Sequence, residues 1–173
     1  LTNQAVVEDM NDDNRGRSEG ANVRTYAKAL DIMKNTTDVD IQLLAIPGLR
    51  HPVVTNAAID AVTDRFDALY IMDIEQEDTS GELITTDSQL PDVSKTVNRF
   101  ANRALDSNFG AAYYPDILME DPNTGTNLYV PPSVQVLGAM ALNDKIGHPW
   151  FAPAGFARGA LPSALESRVT LSK

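Results

Sequence analysis

Two short apolar runs set the architecture: Ile41-Gln42-Leu43-Leu44-Ala45-Ile46-Pro47-Gly48 and Asp67-Ala68-Leu69-Tyr70-Ile71-Met72-Asp73. Each is short for a helix and almost continuously apolar, the pattern of a strand buried on both faces. The first run closes on Pro47-Gly48, a turn pair. Between the runs, over roughly 53–66, Val54, Ala58, Val62 and Phe66 recur every four residues, with Ala57 and Ala61 beside them. Asp60, Thr63 and Asp64 face away, so the stretch is an amphipathic helix. Strand, helix and strand in this order predict a βαβ unit with a parallel pair. The predicted class is α/β, with α+β left open: a mixed sheet containing that unit, packed with about four helices.

Upstream, Tyr26, Ala29, Leu30 and Met33 hold helical spacing from Val23 onward, with Asn22 as the expected N-cap. Residues 6–20 are polar with little periodicity, and a mobile segment over 1–22 is expected. Downstream, residues 75–90 read as a long acidic loop. Val93, Val97, Phe100, Ala101, Ala104 and Leu105 predict a third helix, capped by Asp92 or Ser94. Ala111 to Met119 predicts one strand, interrupted by Pro115 at an edge or bulge. Asp121-Pro122-Asn123-Thr124-Gly125 is a turn. Pro131-Pro132-Ser133 starts a helix through about Leu142, where Pro suits the first turn. Its sequence is apolar nearly all round, which predicts full burial. Residues 147–162 are rich in Gly, Pro and aromatics. Val169-Thr170-Leu171 is expected to begin a strand. The core domain is thus expected over 23–163, with 164–173 the start of a further segment.

The 173 residues suit one domain. A formal net charge of −10 disfavours binding to nucleic acid and to anionic membranes, both of which select Lys and Arg. The chain has no Cys, which excludes disulfides, thiolate metal sites and cysteine nucleophiles. It lacks the roughly 18 consecutive apolar residues that span a bilayer. It opens on Leu1 without a starting Met, and a cleaved product or fragment is expected.

Few residues point to chemistry. His51 and His148 both adjoin proline and form no metal spacing. Asp9, Asn11 and Asp13 imitate half of a calcium loop, but Asn14 replaces the required Gly and Gly20 the bidentate Glu. Asp73 sits at the carboxyl end of a predicted parallel strand, where ligands gather in open α/β sheets. Glu75, Glu77 and Asp78 follow it, and a solvated acidic loop is the plainer account. Phosphate-loop, dinucleotide and nucleophile-elbow patterns are missing. Lys95, Arg99 and Arg103 form a basic stripe on the third helix. It is either an exposed face or an intersubunit contact for an acidic surface, which this acidic chain itself supplies.

Two segments carry a resemblance. The first is Ala29-Leu30, the Ile41–Gly48 run ending in Pro47-Gly48, then Arg65 and Tyr70-Ile71-Met72-Asp73. The second is Ala111-Ala112-Tyr113-Tyr114-Pro115, Asp121-Pro122, Val130-Pro131-Pro132-Ser133, Gly138, Asp144, Gly147, Ala152-Pro153-Ala154-Gly155 and Arg158-Gly159. In this order and spacing, roughly over 26–160, they resemble the core of the contractile phage tail sheath family, of the giant-myovirus phiKZ type. The resemblance implies a structural subunit, not an enzyme, with no cofactor and no catalytic residue. It implies partners in other sheath subunits, the tail tube protein, the baseplate and the tail terminator, in a virion tail assembled in the host cytoplasm. It further implies a helical sheath that contracts to drive the tube through the host envelope. Val134 stands where the family usually has Gly after the Pro-Pro-Ser run, the acidic loop has no counterpart, and the family's C-terminal domain is missing. A chain without the terminal arms is expected to be monomeric. Two other functions compete: a small α/β enzyme with an acidic site around Asp73, and an accessory binding module using the basic stripe or the Trp150–Phe156 loop.

Overall fold

A computed structural model of the chain describes residues 3–11, 20–148 and 150–170. The fold is α/β. The predicted βαβ unit is β1 (Leu43–Ala45), α1 (Pro52–Arg65) and β2 (Leu69–Asp73), with β1 and β2 parallel and Leu44 opposite Tyr70. A second crossover through α2 (Val93–Asn102) returns the chain to β3 (Gly110–Tyr113), parallel to β2 on its other side. β2 is therefore central, and its residues from Tyr70 to Asp73 are buried.

The main core lies where α1 packs on this sheet. Val54, Ala58 and Val62 meet Leu49, Ala68, Tyr70 and Met72, all within the buried cluster. Three members of the four-residue repeat read from the sequence, Val54, Ala58 and Val62, make this contact; the fourth, Phe66, is the left-handed C-cap of α1 and is exposed. A further helix, α3 (Ala21–Met33), adds Val23 and Leu30 to the cluster. Its last carbonyl, Met33 O, is met from α1 by Arg65, a residue 7% exposed overall. Arg65 donates to Met33 O, to Val39 O at 2.8 Å and to the Asp67 carboxylate. Buried guanidinium is tolerated here because its donors are engaged.

Six helical segments and six strands are present among the described residues. The strands divide between two sheets, where one mixed sheet was expected. The second sheet is antiparallel, in the order β5 (Asn127–Val130), β4 (Ile117–Glu120), β6 (Glu166–Ser167). The predicted strand over 111–119 is thus two strands in different sheets. The chain turns between them at Tyr114–Pro115, a cis peptide, where Pro has no N–H to continue a ladder.

Four further expectations fail. Residues 3–11 are helical (α4, Asn3–Asn11), where the sequence predicted no helix. One anchor, Val6, is fully buried and joins the core, and a single such contact leaves no periodicity to read. Residues 12–19 lie outside the described ones, as do Asp13 and Asn14 of the calcium-like run. Asn22 does not cap α3: its N–H and that of Val23 donate to the Asp9 carboxylate at 2.6 and 3.3 Å. Gly20 stands at the N-cap, and a Cβ there would overlap the Asp9 side chain. Helix α5 (Pro132–Ile146) buries Pro132, Ser133, Gln135 and Asn143, while Val134 and Ile146 are exposed. Its apolar composition does not produce full burial, because nothing in the described chain covers its outer side. Val169 and Thr170 are not in a strand; the pairing stretch is Glu166–Ser167, and Leu171 lies outside the described residues. The remaining element is a short turn, α6 (Gly155–Arg158).

Candidate functional site: a carboxylate clamp at the end of the central strand

Asp73 closes β2 and is 1% exposed. Its Oδ1 accepts from the backbone N–H of Ser133 at 2.9 Å. Its Oδ2 accepts from the Ser133 hydroxyl at 2.7 Å and from the N–H of Gly48 at 3.0 Å. Three pieces separated in sequence are joined here: the Pro47-Gly48 turn after β1, the end of β2 and the Pro131-Pro132-Ser133 entry to α5. Gly48 has φ +78°, which favours glycine, and a Cβ there would be in ordinary contact with the Pro131 ring.

The local chemistry explains the arrangement. Pro131 is the N-cap of α5 but offers no side-chain acceptor, and Pro132 at the first helical position has no N–H. The first N–H of the helix that needs a partner is therefore that of Ser133. Asp73 supplies the cap from another element, and its charge faces the positive end of the helix dipole. Burial pushes the carboxyl pKa of Asp73 up; the donors from Gly48 and Ser133, and the positive charge of Arg50, oppose that rise. Both oxygens are occupied by these contacts, so Asp73 is not presented as a general base.

The acidic residues after Asp73 turn to α2. Arg99 binds the Glu75 carboxylate at 2.7 Å and that of Glu77 at 2.8 Å. Lys95 donates to Thr79 O. Arg103 donates to Thr55 Oγ1 at 2.8 Å, to Asn56 Oδ1 and to Met72 Sδ. The whole basic stripe thus donates into its own chain: Lys95 and Arg99 into the loop over 75–90, and Arg103 into α1 and β2. Within that loop Asp78 Oδ1 accepts from the N–H groups of Ser80 and Glu82, and Glu77 pairs with Leu83 in an antiparallel bridge. Asp78 is held below the usual carboxylate range, chiefly by the Ser80 hydroxyl.

A second clamp was not legible in the sequence. Asp116, just past the Tyr113-Tyr114-Pro115 turn, is 3% exposed. It binds Arg50 at 2.6 Å and Arg168 at 3.1 Å. Arg168 also donates to Thr86 O and Gln89 O, and it lies 4.9 Å from the Tyr129 ring. The backbone N–H groups of Arg50 and His51 donate to Asn3 Oδ1. The one available signal was Asp116 itself, a charge inside an otherwise apolar run. His51 is the N-cap of α1, its Nδ1 accepting from the N–H of Val53.

The remaining motif residues lie apart. Tyr113 is opposite Asp73 in the β2–β3 register. Pro153 and Gly155 are exposed on the loop with Trp150 and Phe156, at 77% and 101% exposure. His148 stacks on Trp150 with ring centroids 4.7 Å apart. Among the described residues there is no group of three or more His, Cys, Asp or Glu placed to hold a metal ion. No protein-family model matches the chain, and no curated protein matches it.

Proposed function

We propose that this chain is a structural segment of a contractile tail sheath subunit, a packing module that joins other copies in a helical polymer around a tail tube. One observation carries the proposal. Gly48, Asp73 and Ser133, residues from separate parts of the family-like pattern, meet in one buried clamp that fastens three elements. A buried carboxylate whose two oxygens are both taken by donors of its own chain fastens elements together, whereas a group that acts on a substrate faces an accessible pocket. The buried ion pairs of Asp116 and the inward-facing basic stripe fit the same account. In such a polymer, opposite patches on one subunit make repeating contacts, and the exposed aromatic loop at Trp150–Phe156 offers one of them. The test is analytical ultracentrifugation of this chain beside a form extended at both ends along its natural sequence. A small chain with an extended form that grows into long tubes supports the proposal; two forms that both stay small overturn it.

The α/β enzyme reading has one observation of its own. Glu75, two residues past the end of β2, is 5% exposed, and its Oε1 has no hydrogen-bond partner among the described residues. Calorimetric titration with Mg²⁺ separates the two readings. Stoichiometric binding lost in Glu75→Gln favours the acidic site, and no heat of binding favours the scaffold.

A further inference from the structure

One flank of α5, at Met140, Asn143 and Asp144, and the lead-in to β1 line an open groove of about 740 Å³. Its apolar surface includes Leu43, Met140 and Phe151, and its polar surface includes the carboxylates of Asp40 and Asp144. Among the described residues that line it, none is Lys or Arg. Asn143 also lines it and is 3% exposed. Asn143 Nδ2 donates to Phe151 O at 2.7 Å, but its Oδ1 is buried without a donor among the described residues. A buried acceptor left unpaired is costly, and native proteins satisfy nearly all of them.

These features have one complement. The groove presents apolar surface and acceptors, two of them anionic, and it belongs to a chain of net charge −10. We propose that it docks a basic, apolar peptide segment of a partner protein, with a bulky apolar side chain between Lys or Arg residues. The apolar side chain covers Met140 and Leu43, which stabilises the complex by removing their surface from water. The cations pair with Asp40 and Asp144 at the rim, where charge sets the association rate and the salt dependence. A donor from the segment supplies Asn143. The inference does not depend on the sheath reading, since any partner with this chemistry fits.

Trp150 provides the readout. It is the single Trp of the chain, and its ring centroid lies 6.3 Å from that of Phe151 on the groove wall. The probes are a hexapeptide alternating lysine with leucine and its counterpart with glutamate for lysine. Titration is followed by Trp fluorescence and calorimetry. Saturable one-to-one binding of the lysine peptide alone is expected. Replacing the rim carboxylates together, Asp40→Asn with Asp144→Asn, weakens it about tenfold. Replacing two exposed carboxylates elsewhere, Asp60→Asn with Glu82→Gln, leaves it unchanged. Met140→Lys abolishes it; should that variant unfold, the rim pair at the surface decides alone. Equal weakening by both carboxylate pairs means unspecific charge attraction and overturns the proposal. Binding of the glutamate peptide, or no binding of either, overturns it too. If sedimentation shows that the rim variants alter self-association of the chain alone, the occupant is a second copy and the peptide proposal fails.

Discussion

Among single side chains, Asp73 is the most consequential. Its presence at the end of a strand was legible; its partners were not, because Gly48 and Ser133 lie 25 and 60 residues away. A strand-end carboxylate reads as a ligand site until a helix N-terminus is found to consume it. Asp73→Ala leaves two N–H groups and a hydroxyl buried without an acceptor, at about 1–3 kcal/mol each before relaxation. A loss of about 3 kcal/mol or more is expected in denaturant unfolding, with strong coupling to Ser133→Ala in a double-mutant cycle. A loss below about 1 kcal/mol would show that the clamp is not structural. His51 makes a pH prediction. Burial lowers its pKa from the ordinary 6.5, and its Nδ1 must stay unprotonated to accept from Val53. With the folded pKa below the unfolded one, the imidazole's contribution is complete above about 6.5 and declines as pH falls through the folded value. His51→Asn keeps a neutral cap. The stability of the original chain should therefore fall relative to this variant as pH drops from about 7.5 to 5.5. A difference between the two that stays flat across that window would assign no role to the His51 proton.

Among the helices and strands, periodicity and turn chemistry did most of the work. The helix over 53–66 and its flanking strands appear within a few residues of where the apolar runs put them. Helix α2 appears with Asp92 as its cap, the Asp92 side chain accepting from the Lys95 N–H at 2.9 Å. What failed were elements whose cause is tertiary. β5 and β6 are short and partly exposed, so their residues carry no alternation to read. The helix over 3–11 depends on one buried Val and one capping carboxylate. The basic stripe was visible as a stripe, but a helical projection shows spacing and not the object it faces. For Lys95 and Arg99 that object is the acidic loop, and for Arg103 it is α1 and β2; the first has a measurable consequence. Arg99→Ala should raise amide hydrogen exchange across residues 75–86 while leaving β2 protected. Unchanged exchange in that loop would mean that the ion pairs with Glu75 and Glu77 do not hold it.

Across the full fold, the layout separates a well-filled half from an open one. The parallel sheet, α1 and α3 form a continuous core; α5 and the aromatic loop leave apolar surface facing outward. The class was legible because a βαβ unit is a local pattern. The split into two sheets was not, because a single Pro in a nine-residue run is compatible with a bulge as well as with a break. If copies meet through terminal arms as well as through the open half, the extended chain should assemble and the present one should not, which is the sedimentation experiment above. The two ends of the described chain also converge: Asn3 holds the Arg50 backbone, and Arg168 shares Asp116 with the Arg50 side chain. A tension applied between these ends would therefore not be transmitted along the parallel strands. It would fall first on a two-residue ladder and a handful of ionic contacts, which give way in succession like the teeth of a zip. The central sheet would remain slack while the ends are pulled apart.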